Sequence, residues 1–167
     1  MTTVEYRPTG RFNPRHTEFS LLGSLLQATI RSDNDLAALA TQRIGVEVLD
    51  RLGEHGLKAE EHLFTIPRRT LLHLRQKGER PSTDESDKAI RLARIVAQTE
   101  TVSGSQEKAM NWLRDGKERF AGKTPLEMAA TEHGARLVED ALVQIDEGRE
   151  RQAARPVSDN YFGRSTG

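Results

Sequence analysis

Apolar residues recur at helical spacing through most of this sequence, and short polar segments separate the runs. Leu22, Leu25 and Leu26 illustrate the pattern, since side chains three or four residues apart lie on one face of a helix. Nowhere do apolar and polar residues alternate over the length of a strand. The sequence therefore predicts an all-α protein.

Residues that begin and end helices mark out the elements. Ser82 followed by Glu85 forms a capping box, Pro67 stands where a first helical turn accepts proline, and Gly78 ends that helix. Thr131 is expected to cap a last helix that ends at Gly148. Helices are expected at residues 18–30, 36–43, 46–54, 58–64, 67–77, 88–98, 106–113 and 131–148, with a short one opening at 124.

The length and the charge balance limit the classes of protein to consider. A chain of 167 residues makes one compact domain or two very small ones. Its 25 basic and 25 acidic side chains cancel, so bulk positive charge gives no reason to expect nucleic-acid binding. Any such binding has to come from a local patch.

Catalytic and metal-binding motifs are missing from the sequence. It has no cysteine, and its five histidines show neither HExxH nor another paired ligand spacing. GKERFAGKT, at 116–124, has five residues between its glycines, where a phosphate loop has four. We therefore expect no enzyme activity, metal or cofactor. No apolar run could span a membrane and the N-terminus lacks a signal core, which favours a cytoplasmic location.

A basic stretch runs from Arg68 to Arg80, with five positive side chains against Glu79 alone. It lies on the second helix of a helix–turn–helix pattern, and the N-terminal end of such a helix enters the major groove of DNA. The candidate DNA-binding residues are Arg68, Arg69, Thr70, His73, Arg75, Lys77 and Arg80. A solvated basic helix on a bundle surface is the alternative, and Leu72 on the outward face favours it.

The last predicted helix is acidic, with five acids and one base from Thr131 to Gly148. Its predicted buried stripe consists of Val138, Ala141, Leu142 and Ile145. Its predicted outward residues are Arg136, Glu139, Asp140, Val143 and Glu147. Val143 among these charges indicates a protein partner. The alternative is an ordinary solvated face held by pairs four residues apart.

The segment from residue 42 to 148 resembles the Xre/MbcA/ParS-type antitoxins, the partners of RES-domain toxins. The resemblance lies in IPRRTL with the basic helix after it, STDESDK, the WL pair before a loop, AGKTPLEMA and TEHGARLVED, in that order and spacing. It implies an N-terminal Xre-like helix–turn–helix domain that binds operator DNA and a small C-terminal helical domain that covers the toxin. It also implies a homodimer, repression of the shared operon and a toxin that consumes NAD.

We expect the chain to divide accordingly. Residues 1–34 form an N-terminal extension with one amphipathic helix, 35–99 the helix–turn–helix domain, 100–148 the toxin-binding domain and 149–167 a polar tail. The extension and the tail depart from the family pattern. The expected toxin contacts are Arg136, Glu139, Asp140, Val143, Asp146, Glu147 and Arg149.

Complementary charge would give the acidic helix its role. An enzyme that binds NAD needs basic groups for the pyrophosphate, and an acidic helix can cover that cleft. Two other functions stay open: a helix–turn–helix transcriptional regulator without an active toxin partner, and an interaction adaptor with a decayed helix–turn–helix. The antitoxin and the regulator both need Arg68 and Arg69 at DNA, whereas the adaptor does not.

Overall fold

The computed structural model describes residues 14–154, which form eight α-helices and no strand, so the all-α prediction is confirmed for this part of the chain. The helices are α1 Pro14–Leu26, α2 Asp33–Gln42, α3 Glu47–Glu54, α4 Arg68–Lys77, α5 Thr83–Ser103, α6 Gln106–Arg114, α7 Pro125–Met128 and α8 Glu132–Ala154. Two 3₁₀ turns lie at Ala59–His62 and Glu118–Phe120. The start of the predicted extension and the end of the predicted tail lie outside the described residues.

Helix α5 is the centre of the fold, and α1, α2, α3, α6 and α8 all pack against it. Its buried apolar side chains are Ala89, Ile90, Leu92, Ala93, Ile95, Val96, Ala97 and Val102. A helix with so broad an apolar face is stable only where other elements cover it. The result is a continuous core that runs from Leu22 in α1 to Leu142 in α8. The predicted domain boundary after residue 99 falls inside α5, and the division into two domains stays a prediction.

Local hydrogen bonds confirm the predicted helix caps at Ser82 and Thr131, and α5 begins at Thr83, before the predicted residue 88. The Glu85 backbone N–H donates to Ser82 Oγ at 3.1 Å, and the Ser82 N–H donates to Glu85 Oε1 at 2.9 Å, which completes the capping box of α5. Thr131 Oγ1 likewise accepts from the Gly134 N–H at 3.0 Å at the start of α8. Gly78 ends α4 as predicted, with a φ of 64° that favours glycine.

Helix α1 is a structural part of the core. Leu22 and Leu25 are buried, and the helix packs along α5. It begins at Pro14, earlier than predicted, and ends at Leu26 because Gln27 adopts the left-handed conformation, with φ 52°. The prediction of a helix at residues 58–64 was wrong, since this segment forms a single 3₁₀ turn followed by further turns.

Helix α8 is longer than predicted. It passes through Gly148 and continues to Ala154, so residues 149–154 of the predicted tail are helical. Glycine weakens a helix by about 1 kcal/mol relative to alanine but does not end one by itself. Helix α5 also exceeds its prediction and runs to Ser103, where Gly104 ends it with a φ of 85°.

Candidate functional site

Helix α4 presents the basic stretch on the protein surface. Its one fully buried side chain is Leu74, and Thr70 is half-buried on the same side. The exposed face opposite Leu74 consists of Arg68, Arg69, Leu72, His73 and Gln76. Leu72 is 57% exposed, as its predicted outward position requires. The predicted N-terminal readers Arg68 and Arg69 are therefore available to a ligand.

Two of the predicted DNA-binding residues have protein partners instead. Arg75 donates through Nη1 and Nη2 to the two carboxylate oxygens of Asp50 in α3, at 3.1 and 2.8 Å. Arg80, beyond the end of α4, donates from Nη1 to the Arg43 backbone oxygen at 3.0 Å. The contact between Arg75 and Asp50 joins α4 to α3 and offsets the positive charge of Arg75. DNA binding by Arg75 and Arg80 stays a prediction, and exposed Lys77 is freer to reach a phosphate.

A groove between α5 and α8 is rich in carboxylates, and we call it the acidic groove. It is lined by Glu18, Arg94, Gln98, Thr101, Val102, Glu139, Asp140, Leu142, Val143, Asp146, Glu147 and Glu150. Six carboxylates thus face one guanidinium. Charges of one sign lining a concave surface reinforce each other's potential, so the groove attracts positive groups.

Arg94 lies at one end of the acidic groove and joins three other helices to α5. Its Nη1 lies 2.9 Å from Asp33 Oδ1 in α2, and its Nε lies 3.5 Å from Glu18 Oε1 in α1 and 3.8 Å from Glu139 Oε1 in α8. Burial raises the pKa of both Glu18 and Glu139, and the positive charge of Arg94 opposes that rise. The cluster has more carboxylates than one arginine can neutralise.

This cluster corrects the prediction for Glu139. Its side chain is only 27% exposed and turns towards Arg94, so it does not face outward as predicted. The reason is tertiary: α5 passes beside α8 at this point, and the spacing within one helix cannot reveal where a neighbour lies.

The other predicted toxin contacts are distributed over α8. Asp140, Val143 and Glu147 are exposed and line the acidic groove, with Val143 47% exposed, and the half-buried Asp146 lines it as well. Arg136 lies on another flank, where it pairs with Glu132 at 3.3 Å. Arg149 is exposed in the unpredicted last turns of α8.

The predicted buried stripe of α8 is confirmed for Val138, Ala141 and Leu142, and Ile145 is half-buried. Leu137 is 52% exposed and was not among the predicted surface residues. Leu137 lies next to the predicted buried stripe but not on it, and this position in the sequence could have indicated its exposure. Together with Val143 it gives α8 two exposed apolar side chains.

The described residues show neither a metal-binding cluster nor a membrane-spanning helix. Among residues 14–154 no group of three or more histidine, aspartate or glutamate side chains is placed to hold a metal ion. None of the described helices is both long and apolar enough to cross a membrane.

The helical fold is the one that the resemblance to antitoxins implies, and comparison with known proteins shows the class. Residues 98–148 match the family model of the antitoxin Xre/MbcA/ParS C-terminal toxin-binding domain. The chain is also 37% identical to Antitoxin Xre of Pseudomonas putida over 140 residues, which cover 83% of this chain and 88% of that protein. The chain therefore belongs to the Xre-type antitoxins, the neutralising components of toxin–antitoxin systems.

Proposed function

We propose that this antitoxin neutralises a RES-domain, NAD-consuming toxin by covering its active-site cleft, and that it represses its own operon by binding operator DNA. It acts in the cytoplasm as a homodimer within a larger toxin–antitoxin complex, and it has no enzyme activity of its own. The observation that carries the toxin-binding part is the acidic groove with exposed Val143 at its edge.

The acidic groove suits a cleft that binds a dinucleotide. Such a cleft presents basic groups to the pyrophosphate, and those groups are left exposed when the cofactor is absent. Asp140 and Glu147 on α8 can pair with them while Val143 is buried in the contact. Complementary potentials speed association and reject wrong partners, and apolar contact at the centre of an interface slows dissociation.

The test reverses charge on the groove without disturbing the core. Asp140→Lys with Glu147→Lys changes two exposed carboxylates, whereas Glu139 is avoided because it contacts Arg94. The matched control is Glu107→Lys with Glu118→Lys, which changes two exposed acids of the same domain that do not line the groove. Only the groove variant is expected to lose protection of cells that express the adjacent toxin.

Purified proteins separate covering of the cleft from mere attachment. NAD turnover by the toxin is expected to stop at saturating wild-type antitoxin and to persist with the groove variant. Undiminished turnover in a wild-type complex that gel filtration shows to be intact would contradict covering of the cleft. It would leave an antitoxin that attaches elsewhere on the toxin.

Helix α4 supports the proposal of DNA binding. Its exposed face carries Arg68 and Arg69 at the N-terminal end, the end that enters the major groove in helix–turn–helix proteins. An arginine that pairs with guanine contributes about 1–3 kcal/mol of discrimination, so Arg69→Ala should weaken binding to the operator more than to unrelated DNA. Lys77→Ala should weaken binding to all sequences and flatten the salt dependence.

A two-fold homodimer would present two copies of α4 to two half-sites about one helical turn apart. Light scattering of the free protein at micromolar concentration measures the oligomeric state directly. A monomer that binds a single half-site as tightly as a full operator would contradict this part of the proposal.

A further inference from the structure

The segment that joins α3 to α4, residues 55–67, determines where α4 points. Helix α4 buries only Leu74 fully, so apart from the pair that Arg75 forms with Asp50 its own side chains hold it weakly. The α3–α4 connection, by contrast, is well anchored, since His62, Thr65 and Ile66 are buried. Contacts that fix this connection therefore contribute to the orientation of α4, beside the Arg75–Asp50 pair.

Arg114, the last residue of α6, holds the α3–α4 connection with three hydrogen bonds. Its Nε and Nη2 donate to the two carboxylate oxygens of Glu61 at 2.9 and 2.7 Å, and Nη2 also donates to the Gly56 backbone oxygen at 2.6 Å. A bidentate pair between guanidinium and carboxylate fixes direction as well as distance. The bonds from Arg114 lower the pKa of Glu61, which agrees with a close pair between the two charges.

Two more contacts lie at the same junction. His55 Nδ1 is 2.6 Å from Glu100 Oε1 in α5. Gly56 has a φ of 105°, and a Cβ atom there would lie 3.1 Å from Met110 Cγ, so the backbone of the connection packs closely on α6. Glu100, Met110 and Arg114 all belong to residues 98–148, the segment that matches the toxin-binding family model.

We propose that Arg114 is a positioning residue for DNA binding: from α6 it holds the α3–α4 connection and so sets the angle at which α4 meets the operator. This inference rests on the proposed DNA binding by α4. Arg114 acts through Glu61 and Gly56, not by contact with DNA. Without it the connection has several positions, and only molecules with α4 aligned bind the operator well. If one tenth of them are aligned, the apparent Kd rises about tenfold.

Substitution of each partner separates alignment from charge. Arg114→Gln removes a positive charge and Glu61→Gln removes a negative one, so a purely electrostatic effect would weaken DNA binding in the first variant and strengthen it in the second. Loss of alignment weakens operator binding in both variants, by about tenfold.

Fluorescence anisotropy with a labelled operator duplex and a random duplex of equal length provides the measurement. Binding to the random duplex needs no fixed orientation of α4, so it is expected to follow the change in charge alone. The control Arg119→Gln removes the same charge from an arginine that bonds Gln144 in α8 at 2.7 Å. This control should affect the two duplexes equally.

Circular dichroism and toxin binding establish that each variant is folded, and Glu61→Gln carries the test if Arg114→Gln fails to fold. Operator affinity of folded Glu61→Gln that equals or exceeds that of the wild type would overturn the positioning role. Wild-type protein that prefers the operator no more than random DNA would overturn the proposed DNA-binding function as well, so the two failures are distinguishable.

Discussion

Removal of the guanidinium of Arg94 is expected to destabilise the whole fold. Arg94→Leu leaves Glu18, Asp33 and Glu139 close together with no cation among them. Loss of one partner of a buried ion pair costs about 3–5 kcal/mol. Solvent screens this site, because the Arg94 side chain is 30% exposed and that of Asp33 73%. We therefore expect a loss of about 2 kcal/mol at neutral pH.

The pH dependence gives this prediction its sign. Burial raises the pKa of Glu18 and Glu139 above the ordinary 4.5. At pH values between 4.5 and the raised pKa, the folded protein therefore binds protons that the unfolded chain releases. The resulting stability is present below the ordinary value and is lost as pH rises through the raised values. The positive charge of Arg94 opposes this rise in pKa, so Arg94→Leu should raise both pKa values further and widen the pH range over which stability is lost. The variant should lose more stability than the wild type between mild acid and neutral pH.

Urea unfolding followed by circular dichroism measures both effects. With a slope of about 2 kcal/mol per molar for a small protein, the midpoint should fall by about 1 M at neutral pH and by less in mild acid. Arg91→Leu is the control, since it removes a cation of α5 that pairs with Asp87 within the same helix. A variant of Arg94 with the wild-type midpoint, or with an equal deficit at both pH values, would refute the reasoning.

Three further predictions follow from local geometry. Gly148→Ala should stabilise the protein by up to about 1 kcal/mol, because the position is helical and a Cβ atom would meet nothing within 4 Å. Gly134→Ala should destabilise it, because its Cβ atom would lie 1.9 Å from the Met128 backbone oxygen. Thermal unfolding measures both variants, and equal melting temperatures for the two would contradict the path of α8. Ser82→Ala should cost about 1 kcal/mol in urea unfolding by loss of the α5 cap, and an unchanged midpoint would show that the cap contributes nothing. Asp50→Asn should tighten binding to random DNA at low salt, because it removes a negative charge and releases Arg75, and unchanged affinity would show that Arg75 lies away from the phosphates.

Local signals predicted the caps of α5 and α8, and tertiary contacts account for most of what the sequence did not reveal. Ser82 and Glu85 are three residues apart, so their capping box can be recognised without the fold. Arg75 and Asp50 are 25 residues apart, and Arg114 and Glu61 are 53 apart. The sequence around each of these residues does not indicate which residue it contacts.

The end of α8 was missed for a different reason. Glycine is only a weak helix breaker, and contacts with α5 and α7 hold α8 in place upstream of Gly148. The family resemblance predicted the antitoxin class from ordered motifs. It could not show that Glu139, within the predicted contact surface, turns towards Arg94.

The central position of α5 has a consequence for how the protein opens and is degraded. The first and last helices of the described residues, α1 and α8, both cover α5, so its buried amide groups can exchange with solvent only when most of the core comes apart. The opening free energy that hydrogen exchange measures for the amides of α5 should therefore equal the free energy of global unfolding, with no partial opening of lower free energy. A protease that captures the opened chain would then remove the surface of α8 together with the core, whereas α4, which buries only Leu74 fully, can open separately. The lifetime of the α8 surface in the cell is thus set by global unfolding.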